Sequence, residues 1–327
     1  VEEKKELLNC IKRVVQKGNL ILTSEVEFFE KAVTKFTGSK YCLGVNSGTD
    51  ALMLSLWSLG IKKGDEVITS PISFIATSNS ISHIGAKPVF VDIGDDLNIN
   101  PDLIENAITK KTKAIMPVHF AGQAYDVDNL KKILINSKIK IIDDCSHAIG
   151  TFYKNAHVGA NVDFAIFSFH PNKNITTAEG GLLLCKSKKD HITSLKLKYH
   201  GLYDQTYKKD YKIDNARKEV LMPGMKYILS DIHASIGIVQ FKKLKFILKK
   251  RKILAHRYNN FIKNLKNIKT LNHKNKFKNV HSWHLFVIKF NLKKLKINYR
   301  KIFNKFKKNK IQVGVHYYPV HLHKYYK

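Results

Sequence analysis

Ile139-Lys140-Ile141-Ile142-Asp143-Asp144-Cys145-Ser146-His147-Ala148 is the stretch that decides the fold. Its apolar run has little polar alternation, which suits a strand covered on both faces. It closes on two carboxylates, where a strand would hand over to a loop. Ala114-Ile115-Met116-Pro117-Val118 has the same texture. Working outward, strands are expected at Tyr41–Asn46, Glu66–Ser70, Lys87–Asp92, Lys113–Val118, Lys138–Asp143, Phe164–Phe169 and Gly181–Cys185. Helical periodicity lies between them, at Ala51–Leu59, Ala76–His83, Pro101–Ile108 and Asp128–Ile135. Strand–helix alternation predicts an α/β fold, doubly wound around a mostly parallel sheet. Ligands of such sheets sit outside the carboxyl ends of the strands.

Beyond about residue 231 the pattern changes. Leu244, Ile247, Leu248, Leu254, Ala255, Tyr258, Phe261, Ile262 and Leu265 predict one long amphipathic helix. Strands are expected at His281–Phe290 and Ile311–Tyr318, with a helix over Tyr299–Lys308 between them. The expected division is a large domain over residues 1–235, then a linking helix and small C-terminal α/β domain over 236–327. The first residue is Val1 and the last are Tyr325-Tyr326-Lys327, which suggests a fragment lacking both ends.

Composition narrows the class. The 327 residues carry a formal net charge of +31, distributed unevenly. Residues 1–180 hold 20 basic and 20 acidic side chains, whereas residues 181–327 hold 37 and 6. A hydrophobic content of 44% fits a globular chain rather than a disordered one. No apolar run reaches the ~18 residues of a membrane helix, and the N-terminus lacks a signal-peptide core. Cys10, Cys42, Cys145 and Cys185 form no paired motif, which fits a reducing cytoplasm and no structural zinc. The basic excess could mark a nucleic-acid surface. However, 52 of the 57 basic residues are Lys, and specific readers of nucleic acid favour Arg. A Lys-rich solvated surface is the simpler reading.

Three elements could carry chemistry. Asn46-Ser47-Gly48-Thr49-Asp50-Ala51-Leu52 follows a strand and opens a helix, so free N–H groups there would cradle an anion; an ordinary cap by Ser47 or Thr49 is the plainer alternative. Asp143 and Asp144 close the buried strand, and a buried carboxylate needs a cation or a metal. His147 follows, within reach of a ligand oxygen. His119, His147 and His170 read as isolated and the trio His316, His321 and His323 is weak evidence, so no metal site is expected. Lys173 lies in a polar loop after the strand ending Ser168-Phe169-His170, and a lysine held in a dry site can form a Schiff base. Anion site, carboxylate and lysine are the parts that pyridoxal 5'-phosphate requires.

In this combination the sequence resembles the DegT/DnrJ/StrS family of pyridoxal-phosphate-dependent sugar aminotransferases, which have the aspartate-aminotransferase fold (fold type I). The resemblance runs from Leu22-Thr23-Ser24-Glu25 to Val315-His316-Tyr317-Tyr318. Ser47-Gly48-Thr49-Asp50-Ala51-Leu52 matches the family's cofactor-phosphate turn, and Pro71-Ile72-Ser73-Phe74-Ile75-Ala76-Thr77 the segment whose aromatic residue stacks on the pyridine ring. Pro117-Val118-His119-Phe120-Ala121-Gly122-Gln123 matches a further family stretch. The resemblance implies that Lys173 is the Schiff-base lysine and general base. It also implies that Asp144 pairs with the pyridinium nitrogen, that Phe74 stacks on the ring and that His147 contacts the phenolic oxygen. Gly48, Thr49 and Ser168 would hold the phosphate.

Lys198-Tyr199-His200-Gly201-Leu202 and Met222-Pro223-Gly224-Met225-Lys226-Tyr227 are similar to enzymes that make 4-amino sugars on UDP. The nearest types are the UDP-4-amino-4-deoxy-L-arabinose and 4-amino-4,6-dideoxy-hexose aminotransferases. The implied partners are a nucleotide-sugar, L-glutamate as donor, and a second subunit that completes the site in a homodimer. No nucleic acid or membrane is implied. A related sugar aminated at a 3-keto carbon is the alternative substrate. One departure is Lys226-Tyr227-Ile228, where the family carries an Asn that reaches the partner subunit's cofactor phosphate. Lys226 would supply a positive contact in its place.

Overall fold

The computed structural model describes residues 2–202, 219–271 and 279–327. The first half runs α1 (Glu2–Lys17), α2 (Ser24–Thr37), β1 (Tyr41–Val45), α3 (Gly48–Ser58), β2 (Glu66–Thr69), α4 (Ala76–His83), β3 (Lys87–Phe90), β4 (Thr112–Met116), α5 (Val127–Ile133) and β5 (Lys140–Asp144). A short hairpin follows, β6 (Phe152–Tyr153) and β7 (Ala156–His157), then β8 (Phe164–Ser168) and β9 (Gly181–Cys185). The remainder is α6 (Lys188–Lys198), α7 (Asp231–Lys242), α8 (Leu244–Ile262), β10 (Ile268–Thr270), β11 (Ile288–Phe290), α9 (Leu292–Leu295) and α10 (Tyr299–Lys308).

Seven strands form one sheet in the order β1-β9-β8-β5-β4-β2-β3. They are the seven expected from the apolar runs. The pairs from β8 through β5, β4 and β2 to β3 are parallel, while β9 is antiparallel to both neighbours. The alternation of side chains explains why the runs are continuous. Ile141 and Phe167 join a core shared with Phe29 of α2 and Leu130 of α5, whereas Ile142 and Ile166 join a second core with Leu52 and Leu54 of α3. Both faces are therefore dry, and neither can tolerate polar alternation. The same alternation sends the two terminal carboxylates of β5 to opposite faces.

β1 is an edge, and its outer face is closed without another strand. Glu30 accepts the Gly44 N–H at 2.6 Å, and the ammonium of Lys198 donates to the Gly44 carbonyl at 3.2 Å. Lys198 is only 5% exposed. Burial holds its ammonium below the usual lysine range, and burial raises the Glu30 carboxyl, each partly offset by the other's charge. Capping polar groups of this kind keep an edge from recruiting a further strand.

Some expectations fail for local reasons. Pro101–Ile108 is not an α-helix but two 3₁₀ turns, Pro101–Leu103 and Glu105–Ala107, the first capped by Asn100. The long helix ends at Ile262, short of Leu265. Of His281–Phe290 only Ile288–Phe290 pairs as a strand, with Ile268–Thr270. The preceding residues instead dock on the large sheet's loops, where Ser282 N–H donates to Gly122 O and Leu285 N–H to Ala121 O. Ile311–Tyr318 has the composition of a strand but no ladder partner among the described residues. Ala76–His83 and Tyr299–Lys308 are helices with the expected bounds.

Replacing Lys198 should expose the clip's energetics. Lys198→Ala leaves Glu30 and the Gly44 carbonyl buried without their cation, and urea unfolding should show a loss of about 3 kcal/mol. An unchanged midpoint would mean the edge does not depend on the pair.

Candidate active site

The site lies at the carboxyl ends of β5 and β8, where the topology predicts it. Ser47 caps α3, its hydroxyl accepting the Asp50 N–H at 3.1 Å. That leaves the N–H groups of Gly48 and Thr49 at the helix start for a ligand. The elements meet there almost without gap. A Cβ on Gly48 would lie 2.9 Å from Ser168 Cβ, and one on Gly181 would lie 2.5 Å from the Ser47 carbonyl atoms. Side chains at these positions would occupy the space in which the helix start, the end of β8 and the start of β9 converge. Gly48 and Ser168 thus meet, and the free N–H groups of the helix start beside them form a cradle suited to an anion.

Asp144, 4% exposed, ends β5 on the α4 side of the sheet. Its Oδ2 accepts from the Thr77 hydroxyl at 2.9 Å and its Oδ1 from the Ser146 N–H at 3.0 Å. The backbone fixes it too. Asp144 N–H donates to Pro117 O, and its carbonyl accepts from His119 N–H. Asp143 faces the other way. It accepts from the Tyr125 hydroxyl at 2.7 Å and pairs with His119 Nε2 at 3.2 Å. His119, expected to be isolated, is therefore the partner of the buried carboxylate that plays no part in the site. Together with Cys145 these two form the one His/Asp/Cys group among the described residues with metal-competent spacing, its donor atoms within 4.8 Å of one another. Burial and the adjacent carboxylates raise the Cys145 thiol well above its usual range.

Lys173 sits in the loop between β8 and β9. The loop is pinned at its base, where Phe169 N–H donates to Gly180 O and Thr177 N–H to Phe169 O. Asn174 ties it to the second half of the chain, donating to Ser282 O at 3.0 Å. Burial brings the Lys173 ammonium down to about 8, against the opposing pull of Asp144. A desolvated lysine of this kind is uncharged for a useful fraction of the time near neutrality.

His147 is buried and keeps company the sequence did not reveal. Its Nε2 lies 3.3 Å from the Tyr317 hydroxyl and its ring 4.3 Å from that of His284. Burial, then Lys173, His284 and His316, hold it well below the ordinary histidine range, so it is neutral. Its Nδ1 is buried without a partner, a polar atom left for something the chain does not provide. Phe74 is 56% exposed, unusual for a large aromatic ring, and its one ring neighbour among the described residues is Tyr317, at 6.0 Å. An exposed ring of this kind suits a flat aromatic ligand.

Lys226 reaches the cradle through its main chain, its carbonyl accepting from the Asn46 side chain at 3.3 Å. Its side chain is exposed. His170 is at the rim, its ring bonded to Asn172 at 3.0 Å. The structure thus gathers Gly48, Thr49, Ser168, Asp144, His147, Phe74 and Lys173, with Lys226 alongside. It adds Thr77, His284, His316 and Tyr317. Thr77 was visible only as part of the Pro71–Thr77 stretch. His316, His321 and His323 do not gather, since His321 turns to Phe90 and His323 to Tyr318.

The residues fit pyridoxal phosphate: an anion cradle that a Cβ would fill, a carboxylate with one protein donor on each oxygen, and a desolvated amine. Known proteins agree. The profile of the DegT/DnrJ/EryC1/StrS aminotransferase family matches residues 1–327. The uncharacterized protein MJ1066 of Methanocaldococcus jannaschii is 41% identical over 300 residues, covering 91% of this chain and 77% of its own. PseC of Helicobacter pylori, an aminotransferase involved in the biosynthesis of pseudoaminic acid, superposes with a TM-score of 0.89 at 32% identity, covering 100% of this chain and 84% of PseC. Spr1654 of Streptococcus pneumoniae, described as a sugar aminotransferase and solved in its PMP form, gives 0.89 at 30% identity over 98% and 85% of the two chains.

Gly181→Ala would drive a methyl into the Ser47 backbone, which cannot rotate away as a side chain could. The variant should lose about 1–3 kcal/mol in urea unfolding and bind inorganic phosphate or cofactor more weakly. Wild-type stability with wild-type cofactor affinity would contradict this packing.

Proposed function

The chain belongs to the DegT/DnrJ/EryC1/StrS aminotransferase family and is a pyridoxal-phosphate-dependent aminotransferase, and on that premise we propose that it transfers the amino group of L-glutamate to a 4-keto sugar carried on UDP. The product would be a nucleotide-linked amino sugar for cell-surface polysaccharide, lipopolysaccharide included. The observation that carries the site assignment is the convergence of a desolvated Lys173 and a buried Asp144 beside the cradle at the start of α3.

Bound pyridoxal phosphate supplies an aldehyde for an amine and a ring that accepts electrons. The chain's own residues do the rest. The N–H groups of Gly48 and Thr49 and the hydroxyl of Ser168 hold the phosphate. Asp144 keeps a proton on the ring nitrogen, and Phe74 limits the tilt of the ring. Neutral His147 would contact the phenolic oxygen. Lys173 Nζ would hold the cofactor and, as a free amine, would be the base that takes the proton from the donor's α-carbon and the acid that gives it up to the cofactor carbon. Its amine must be uncharged to do so, which burial favours. Donor and acceptor use the site in turn, so the kinetics are ping-pong. Lys226 would contribute a positive contact to the partner subunit's cofactor phosphate, in the position where the family carries Asn.

We also propose a homodimer whose site is completed by the partner subunit, a cytoplasmic location, and a large domain over residues 1–235 with the small domain after it. No described helix is long and apolar enough to cross a membrane. The basic second half would help to draw in a substrate bearing a diphosphate.

Lys173 sets the pH dependence of cofactor capture. Its charged form cannot attack, so capture by the cofactor-free protein should accelerate with pH and level off above about 8, rather than above the ordinary lysine value. Stopped-flow absorbance across pH would record this. A rate still climbing at pH ~10 would mean that Lys173 is not desolvated. For the substrate, UDP- and dTDP-linked 3-keto and 4-keto sugars should be assayed with glutamate, following 2-oxoglutarate. Turnover confined to the UDP 4-keto sugars is expected, and turnover confined to 3-keto sugars would overturn the assignment.

A further inference from the structure

Thr77 stands in the first turn of α4, and its hydroxyl does something unusual for that position. Serine and threonine near a helix start commonly bond back to local backbone. Thr77 Oγ1 instead reaches Asp144 Oδ2 at 2.9 Å, a residue 67 positions away in the sequence. The Ser73 hydroxyl lies 2.7 Å from Thr77 Oγ1. Thr77 is 1% exposed and Ser73 3%, so water does not substitute for either.

Proton counting fixes the direction of this chain. A carboxylate can only accept. The single proton of Thr77 therefore goes to Asp144, and the proton of the Ser73–Thr77 bond must come from Ser73. Charge-assisted bonds of this kind are among the stronger ones in a dry interior. The turn also holds the exposed ring, because Thr77 N–H donates to Phe74 O at 3.2 Å. One helical turn thus carries both the ring proposed to lie against the cofactor and the hydroxyl that grips the carboxylate proposed to lie at its nitrogen.

We propose that Thr77, braced by Ser73, is a positioning residue that holds the Asp144 carboxylate in the orientation its partner requires. This rests on the reading of Asp144 as the group that faces the cofactor nitrogen. With one lone pair of Oδ2 committed to Thr77 and one of Oδ1 to the Ser146 N–H, the carboxylate cannot rotate, and its remaining lone pairs are left for the cofactor. The titratable groups that face Asp144 are Lys173 from the β8–β9 loop, Tyr317 from the second half and the neighbouring Cys145. Among the described residues the donors on its oxygens are Thr77 and Ser146. Loss of the hydroxyl leaves a buried carboxylate one donor short. A carboxylate free to turn would hold the proton of the ring nitrogen less well, and the cofactor, when bound, would be a weaker electron acceptor.

The test uses the full-length protein loaded with pyridoxal phosphate, as wild type, Thr77→Val, Thr77→Ser, Ser73→Ala and Asp144→Asn. The readout is the pH titration of the cofactor's visible absorbance, with thermal melting to check the fold. Thr77→Val, nearly isosteric, should move the titration midpoint upward by about one unit. Thr77→Ser should restore it, and Ser73→Ala should move it in the same direction by less. A Thr77→Val midpoint equal to wild type, alongside a shifted Asp144→Asn, would overturn the proposal. Unchanged absorbance in Asp144→Asn would instead overturn the reading of Asp144 itself. Should Thr77→Val fail to fold or to load, Ser73→Ala decides: an unshifted midpoint there also overturns the proposal.

Discussion

A carboxylate at the end of a strand that is dry on both faces is the constraint on which the site depends. Asp144 is there because β5 runs through the middle of the sheet, and the strand's alternation sends it to the α4 side. A buried carboxylate must be answered by donors and a cation. The structure answers it with Thr77 and the Ser146 N–H, with Lys173 at longer range, and with backbone bonds to Pro117 and His119 that hold the strand end in place. The rest of the site follows from keeping this corner dry. The β8–β9 loop folds over it, and the stretch 281–285 docks against Gly122 and His147. Ser282 anchors that stretch by donating to His147 O at 3.0 Å.

The adjacent pair Asp143-Asp144 shows how one residue's displacement along a strand separates roles. Asp143 faces the core of α2 and α5 and is satisfied by Tyr125 and His119. Asp144 keeps lone pairs in reserve. Two residues of the same kind, side by side in sequence, become a structural group and a chemical one because the side-chain period of a strand is two. A similar economy appears at β1, where the outer backbone of Gly44 is closed by Glu30 and Lys198.

Much of this was legible in the sequence, and the misses have physical reasons. The apolar runs marked the strands because most of them, β2, β5, β8 and β9 above all, are buried on both faces, which leaves a compositional trace. Ser47-Gly48-Thr49, Asp144 and Lys173 were legible because each stands at a fixed offset from a strand end. Thr77, His284 and Tyr317 carried no such signal. They reach the site through tertiary packing, over separations that periodicity does not encode. The stretch 311–318 has alternating Ile311, Val313 and Val315, yet a strand needs a neighbour as well as a pattern, and none pairs with it among the described residues. Pro101–Ile108 had the right apolar spacing, but its eight residues fold as two successive 3₁₀ turns rather than as an α-helix.

One amine among 52 lysines is assigned the central chemistry. Borohydride reduction of the cofactor-loaded protein makes the lysine–cofactor bond permanent, and peptide mass spectrometry then locates it. The phosphopyridoxyl group should be found on the peptide containing Lys173 and on no other. Its appearance on a different lysine, or its absence from a protein that has visibly bound the cofactor, would contradict the assignment.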